Sequence, residues 1–309
     1  MDYIETLKLH RTHRSWITIG AFDGVHAGHQ ALFERLAQGA REAGCKSLVL
    51  TFDPLPAAFF NRIQTGQVLT TLEERIALIK SLEVDEVIVL RFDQELADVN
   101  AADFMQQVKK ATGLERLLAG FNFSVGKDRL GTVTALKEIG NQLNFQVEVV
   151  QPVRHEREVV SSSAIRNLLK AGEIEKANLY LGRAYTLTGQ VIHGEHRGGK
   201  LGIPTANLAI PEERLLPVNG VYASTALING KTYTAVTNIG VRPTFDNPLP
   251  APRVEPHLLD TNEEFYRQTI DLSLVRYLRP EIKFLNAQAL VDQIQKDIKL
   301  TREIINNET

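Results

Sequence analysis

The chain has 309 residues, 43% of them hydrophobic and 23% charged, a balance that supports a folded protein with more than one apolar core. Its 35 Lys and Arg against 37 Asp and Glu leave a formal charge of -2, without the basic excess of a general nucleic-acid or anionic-membrane surface. One cysteine, Cys45, excludes a disulfide framework and a multi-cysteine zinc site and fits a reducing compartment. No run reaches the ~18 apolar residues of a membrane helix, and MDYIETLKLHRTHRSW has no apolar signal region, so the expected location is the cytoplasm.

Residues 15–150 alternate short apolar runs with helical spacing. Trp16–Ile19, Ser47–Phe52, Glu86–Phe92, Arg116–Gly120 and Gln146–Val150 are rich in Val, Ile, Leu and Phe and read as strands. Between them Leu32, Leu36 and Ala40 keep i, i+4 spacing, as do Leu72, Ile76 and Lys80, the lysine offering its aliphatic stem. Asn100 followed by Asp103 marks a helix start that runs into Phe104 and Val108. Strand and helix in alternation predict an α/β domain, a parallel sheet covered on both faces.

Residues 161–182 read as a helical connector, and from Tyr185 the pattern turns to strands punctuated by Gly and Pro. Val221–Ile228 and Lys231–Asn238 flank Asn229-Gly230, the dipeptide a tight hairpin favours because both turn residues take positive φ. Further strands are expected at 186–193, 253–259 and 269–278, and Leu290, Ile294 and Ile298 line one face of a last helix. The second half is therefore predicted to be a small antiparallel β-barrel closed by a C-terminal helix, with domains at 1–182 and 183–309.

The first chemical constellation is Gly20-Ala-Phe22-Asp23-Gly24-Val-His26-Ala-Gly28-His29, between the first strand and the first long helix. In an open α/β sheet, ligands sit beyond the carboxyl ends of the strands, where helix N-termini present N–H groups to anions. Glycines let the backbone approach a phosphate, and two histidines in one turn can direct N–H donors at a single charged group. The same letters also describe a tight turn with two solvated histidines. No further ligand follows at zinc-like spacing, and the strand–turn–helix setting favours a nucleotide site.

The second constellation is His193-Gly194-Glu-His-Arg197-Gly-Gly-Lys200-Leu-Gly202-Ile-Pro204-Thr205-Ala-Asn207. It is either a glycine-rich phosphate cradle with Arg197 and Lys200, or a loop leading into a strand at Pro204. Thr205 and Asn207 are two apart in an extended segment, so both side chains point to one face. A hydroxyl and an amide oxygen are hard ligands suited to Mg²⁺ carried largely by water and ATP phosphates. Kinase chemistry on an alcohol needs a base for the hydroxyl proton, whereas a phosphate monoester, with a second pKa of about 6, is already an anion. Glu255, in a strand-like segment, is the candidate base, or else a solvated glutamate on an edge strand.

The His26-Ala-Gly28-His29 turn resembles the nucleotidyltransferase superfamily, whose members carry His-x-Gly-His at the first strand–helix turn. With Phe22-Asp23-Gly24, Thr51-Phe52-Asp53-Pro54, Gly120-Phe-Asn122-Phe123-Ser-Val-Gly126 and Ser161-Ser162-Ser163-Ala-Ile-Arg166, it is similar to one branch, the bacterial bifunctional riboflavin kinase/FMN adenylyltransferases, or FAD synthetases. The second half resembles the riboflavin kinase barrel through the flap, Pro-Thr-Ala-Asn, Asn238-x-Gly240-x-x-Pro243-Thr-Phe245, Glu255-x-His257-Leu-Leu-Asp260 and Leu278-Arg279-Pro-Glu281-x-Lys-Phe284. The resemblance covers residues 14–305. It implies a Rossmann-like first domain and an enzyme that phosphorylates riboflavin with ATP and then joins FMN to AMP, giving FAD and pyrophosphate.

The resemblance further implies roles. His26 and His29 would stabilise charge on ATP, with Gly20, Phe22, Asp23, Gly24, Gly28, Ser162, Ser163 and Arg166 around the nucleotide. Asn122, Phe123 and Arg279 would contact flavin. Gly194, Arg197, Lys200, Gly202 and Pro204 would hold the second ATP, Thr205 and Asn207 its Mg²⁺, and Glu255 would be the base. Riboflavin, FMN and ATP are then the partners, with no nucleic acid and no membrane. The sequence departs from the family at Leu55, where a histidine is common, at Ser163 in place of threonine, at Gly199 in place of a basic residue, and at Arg267 in place of a turn glycine. A chain with one active domain, or a flavin-binding protein without turnover, is the alternative.

Overall fold

A computed structural model describes residues 2–193, 204–240, 253–261 and 263–308, and the chain divides into two units, Met1–Ser162 and Ser163–Thr309. The first unit runs α1 (Tyr3–Leu9), β1 (Ser15–Ile19), α2 (Ala27–Glu42), β2 (Lys46–Asp53), α3 (Pro56–Phe59), α4 (Leu72–Lys80), β3 (Glu86–Arg91), α5 (Gln94–Ala97), α6 (Ala101–Thr112) and β4 (Leu114–Gly120). A small hairpin, β5 (Ser124–Val125) and β6 (Gly131–Thr132), precedes α7 (Val133–Leu143), β7 (Gln146–Val150) and a second hairpin, β8 (Arg154–His155) and β9 (Glu158–Val159). The apolar runs pair in the parallel order β3-β2-β1-β4-β7, so the predicted sheet is present and β1 is central.

Every residue of β1 is buried because helices cover both faces of the sheet. Ile17, Leu48, Leu50 and Ile88 turn to the face packed by Phe104, Met105 and Val108 of α6. Trp16, Val49 and Leu118 turn to the face packed by Phe33, Leu36 and Ala40 of α2. Asn100 caps α6 by accepting the Asp103 N–H, as its spacing predicts. The expected stripe on α4 is corrected: Lys80 is exposed, Leu72 and Ile76 are half-buried, and the buried pair is Arg75 with Ile79. Arg75 can be buried because its guanidinium donates to two backbone carbonyls.

The second unit holds the body of α8 (Ser162–Ala171), then α9 (Ile174–Leu181), β10 (Tyr185–Ile192), β11 (Asn207–Ala209), β12 (Gly220–Ile228), β13 (Lys231–Gly240), β14 (Arg253–Leu258), β15 (Thr269–Arg279) and α10 (Ala287–Glu308). The strands close into an antiparallel barrel in the order β10-β11-β14-β13-β12-β15. Asn178 of α9 ties the start of the barrel, donating to Leu274 O and accepting the Tyr185 N–H. The β12–β13 turn takes the positive φ its sequence predicts, 49° at Asn229 and 80° at Gly230. On α10 the buried residues are Asp297, Thr301 and Ile304, and Leu290, Ile294 and Ile298 are only half-buried. The apolar reading missed that stripe because its centre is a carboxylate, buried through its pairing with Arg279.

Arg267, where the resemblance implies a turn glycine, takes a left-handed turn with φ 63° and an exposed side chain. That conformation costs an L-residue about 1–2 kcal/mol, of which glycine's greater freedom in the unfolded chain offsets part. Arg267→Gly should therefore stabilise the second unit by roughly 0.5–1 kcal/mol, read as a higher denaturation midpoint at constant m-value. An unchanged or lower midpoint would show that the turn is not strained.

Candidate active sites

The turn after β1 departs from ordinary backbone geometry, with φ of 50° at Phe22, 83° at Gly24 and 40° at Val25. It folds the Phe22 ring back between His29 and Phe33, edge-on at 5.2 and 4.8 Å. That ring explains Gly20, where a Cβ would stand 2.7 Å from it, and at Gly28 a Cβ would press on the His26 ring at 3.2 Å. Asp23 holds the turn from below. Its buried carboxylate accepts the N–H groups of Leu69 and Thr70 at 2.9 and 3.1 Å and the Thr70 hydroxyl at 3.3 Å, and that hydroxyl accepts the Gly24 N–H. The Ser162 hydroxyl donates to Asp23 O at 2.8 Å, fixing the start of α8 to the same turn. Arg75 adds a second clamp, donating to Ala21 O and Phe52 O at the ends of β1 and β2.

His26 is the N-cap of α2, but its side chain makes no capping bond and the first turn of the helix has no acidic residue. This leaves the positive end of a 16-residue helix open to an anion. The His26 and His29 rings stack at 3.6 Å and 21°. Burial first, and the neighbouring His26 second, push the His29 pKa well below the usual imidazole value, so the ring is neutral at pH 7. Among the described residues the buried Nδ1 of His29 has no hydrogen-bond partner.

Beside this turn lies a cavity of about 600 Å³ beyond the carboxyl ends of β1, β2 and β4. Gly20, Phe52, Phe60, Phe92, Asn122 and Phe123 line it, so the structure brings both predicted flavin residues of this unit to the end of the predicted nucleotide turn. Phe52, Phe59, Phe60 and Phe92 form an edge-to-face cluster with centroids 5.2–5.8 Å apart, a wall suited to a planar aromatic ligand. Arg62 sits over the Phe60 ring. Sequence reasoning missed the aromatics and Arg75. The paired Phe59-Phe60 after a proline was the available signal for the first, and none marks a buried arginine.

In the barrel the register makes the second site. Leu208 pairs with Val254, and Ala206 N–H donates to Pro256 O, so Asn207 lies opposite Glu255 with Cα atoms about 4.5 Å apart and side chains on one face. Glu255 also pairs with Asn238 of β13, whose amide donates to Glu281 at 3.2 Å. Thr205 is exposed two residues before Asn207. Pro204 carbonyl accepts from His257 Nδ1 at 2.6 Å. Arg279 is committed to Asp297 through Nε and Nη2 and to Pro280 O through Nη1, with its guanidinium 6.0 Å from the Phe284 ring. Ser163 is exposed and Arg166 half-buried on α8. Gly194, Arg197, Lys200 and Gly202, like Gly199, lie outside the described residues.

The chain matches the FAD synthetase family over residues 8–164 and the riboflavin kinase family over residues 181–305. A bifunctional riboflavin kinase/FMN adenylyltransferase of Listeria monocytogenes is 36% identical across 93% of this chain and 91% of its own, and one of Bacillus subtilis is 35% identical across 92% and 90%. This chain belongs to the bifunctional riboflavin kinase/FMN adenylyltransferase family. A riboflavin kinase domain and an FAD synthetase domain on one chain make FMN and then FAD. The crystal structure of a macrolide-efflux protein from Streptococcus pneumoniae superposes with a TM-score of 0.86, at 30% identity over 94% of each chain. Among the described residues no helix is long and apolar enough to cross a membrane.

A histidine whose folded pKa is depressed takes up its proton less readily folded than unfolded, so it costs stability as pH falls through the unfolded value of about 6.5. Trp16, the one tryptophan, lies in β1 and reports unfolding of the first unit. Between about pH 7.5 and about pH 5.5, His29→Gln should lose less stability than the parent protein. Equal losses would refute burial as the reason His29 is neutral.

Proposed function

We propose that the barrel phosphorylates the 5′-hydroxyl of riboflavin from ATP–Mg²⁺ and that the first unit transfers AMP from a second ATP to the phosphate of FMN. In this assignment residues 1–182 are the adenylyltransferase part and 183–309 the kinase part. The observation that carries the reading is the opposite placement of carboxylates in the two sites. In the first, Asp23 is committed to backbone N–H groups and a hydroxyl, so the reacting face is built from His26 and His29. In the second, Glu255 stands directly beside Asn207.

The anionic phosphate of FMN needs no base, its second pKa being about 6. The histidines act as neutral donors on the phosphates of ATP at the open N-terminus of α2, with Gly20, Phe22, Gly24 and Gly28 shaping the turn and Asp23 and Ser162 fixing it. Ser163 and Arg166 are assigned to the nucleotide by the resemblance of their motif, and Asn122 and Phe123 seat the flavin in the aromatic cavity. In the barrel Glu255 accepts the riboflavin hydroxyl proton as the oxygen bonds to the γ-phosphorus and ADP leaves. Gly194, Arg197, Lys200, Gly202 and Pro204 hold the nucleotide. Arg279, expected to contact the flavin, has its guanidinium bonded to Asp297 and to Pro280 O, and ties β15 to α10.

Thr205 and Asn207 supply hard oxygens, and among the described residues no three His, Cys, Asp or Glu side chains cluster as a metal cage. That donor set fits a cation that keeps water and phosphate ligands. When bound there, Mg²⁺ neutralises charge on the transferring phosphates. The reading places the enzyme in the cytoplasm, with its small-molecule substrates riboflavin, FMN and ATP.

Purified protein supplied with riboflavin, ATP and Mg²⁺ should form FMN first and FAD after it, as resolved by chromatography. His29→Ala should lower FAD formation from FMN by about 10²–10³ and spare FMN formation, since it removes a charge-stabilising donor. Glu255→Ala should lower FMN formation by about 10²–10⁴ and spare FAD formation from supplied FMN. A folded variant that loses both activities together would overturn the separation of sites.

A further inference from the structure

The segment that carries Thr205 and Asn207 is weakly tied to the barrel. β11 begins only at Asn207, so Pro204, Thr205 and Ala206 precede the strand. Across from them stands Pro256, which has no N–H to return the bond it receives from Ala206 at 2.9 Å. The antiparallel ladder therefore lacks a donor beside Thr205. His257, the next residue of β14, adds a side-chain bond one peptide before Thr205: Nδ1 lies 2.6 Å from the Pro204 carbonyl. A carbonyl oxygen only accepts, so Nδ1 carries the proton and Nε2 is left as the other ring atom. Thr205 is thus bracketed by two hydrogen bonds to consecutive residues of β14, one through Ala206 N–H and one through Pro204 O.

We propose that His257 is a positioning residue for the kinase cation. Its Nδ1–H holds the Pro204 carbonyl so that the Thr205 hydroxyl and the Asn207 amide oxygen are presented together on the face that Glu255 shares. The inference rests on the reading of Thr205 and Asn207 as the cation ligands. His257 itself touches neither cation nor substrate; it acts through the backbone of Pro204. Outer residues that orient ligands typically change metal affinity by about 10–100-fold when removed, without changing the chemistry.

The test uses the full chain with Mn²⁺ and ADP, binding being followed by electron paramagnetic resonance, with Thr205→Ala and Asn207→Ala defining the signal that belongs to the barrel. His257→Ala and His257→Gln should weaken that component about tenfold. His257→Asn, whose amide N–H can take the place of Nδ1–H, should stay within about twofold. In kinetics the Mg²⁺ concentration for half-maximal FMN formation should rise in His257→Ala and His257→Gln with kcat at saturating Mg²⁺ little changed, and adenylylation of supplied FMN serves as the internal reference. If His257→Ala and His257→Gln bind Mn²⁺ as the parent does, or if His257→Asn is as weak as His257→Gln, the positioning role is wrong. If His257→Ala fails to fold, the comparison of Asn with Gln decides. If Thr205→Ala and Asn207→Ala both leave Mn²⁺ binding intact, the cation site itself is misassigned and the inference falls with it.

Discussion

The buried carboxylate of Asp23 is the interaction on which the first site depends. A charge removed from water is tolerated only when donors replace its hydration, and here two backbone N–H groups and a hydroxyl from residues 69–70 do so. The consequence is geometric. The loop ahead of α4 is pinned beneath the Gly-rich turn, and a capping box starts the helix at Thr71, one residue past the bonds to Asp23. The helix then delivers Arg75 to the carbonyls of Ala21 and Phe52. Through these bonds to backbone the two side chains hold three segments around the mouth of the cavity. A turn with three consecutive-range residues at positive φ needs such bracing, since each non-glycine one costs free energy unless its surroundings fix it.

In the barrel the same task falls to register. Val254, Pro256 and Leu258 are buried, so Glu255 and His257 face away from the core on the other side of the pleat. Leu208 is buried against Val254 and sends Asn207 to the outer face with Glu255. A slip of one residue in either strand would bring the polar set into the core and expose the leucine and valine, at a cost the apolar contacts forbid. The barrel core therefore selects which oxygens meet outside it, and no interaction between Asn207 and Glu255 themselves is needed to align them.

The sequence carried the sheet, the hairpin and the barrel plainly because each rests on local signals: apolar runs rich in Val, Ile, Leu and Phe, Asn229-Gly230, and strands punctuated by Gly and Pro. The His26–His29 turn was legible for the same reason, its residues being adjacent in the chain. What stayed hidden is where a charged side chain substitutes for an apolar one. Arg75 on α4 and Asp297 on α10 occupy the buried stripe, and both read as surface positions because their partners, two carbonyls in one case and Arg279 in the other, are distant in sequence or invisible in a list of side chains. The aromatic wall beside Phe123 was hidden likewise, since Phe52, Phe60 and Phe92 come from three separate segments.

The chemistry of the two units follows from how each treats protons. Two positive charges 3.6 Å apart would repel by about 4–5 kcal/mol at an effective dielectric constant near 20, and burial adds to the penalty, so the stacked histidines cannot both be imidazolium near neutral pH. In the proposed assignment they act as hydrogen-bond donors whose strength grows as negative charge develops on the phosphates, without binding the resting anion as two fixed cations would. Such a pair suits a nucleophile that arrives already ionised. An alcohol arrives protonated, and in the proposed assignment the base for it is Glu255, which the register sets opposite Asn207. The order of synthesis is consistent with that difference, since the product of the site with a carboxylate is the phosphate monoester that the site of neutral donors can use directly.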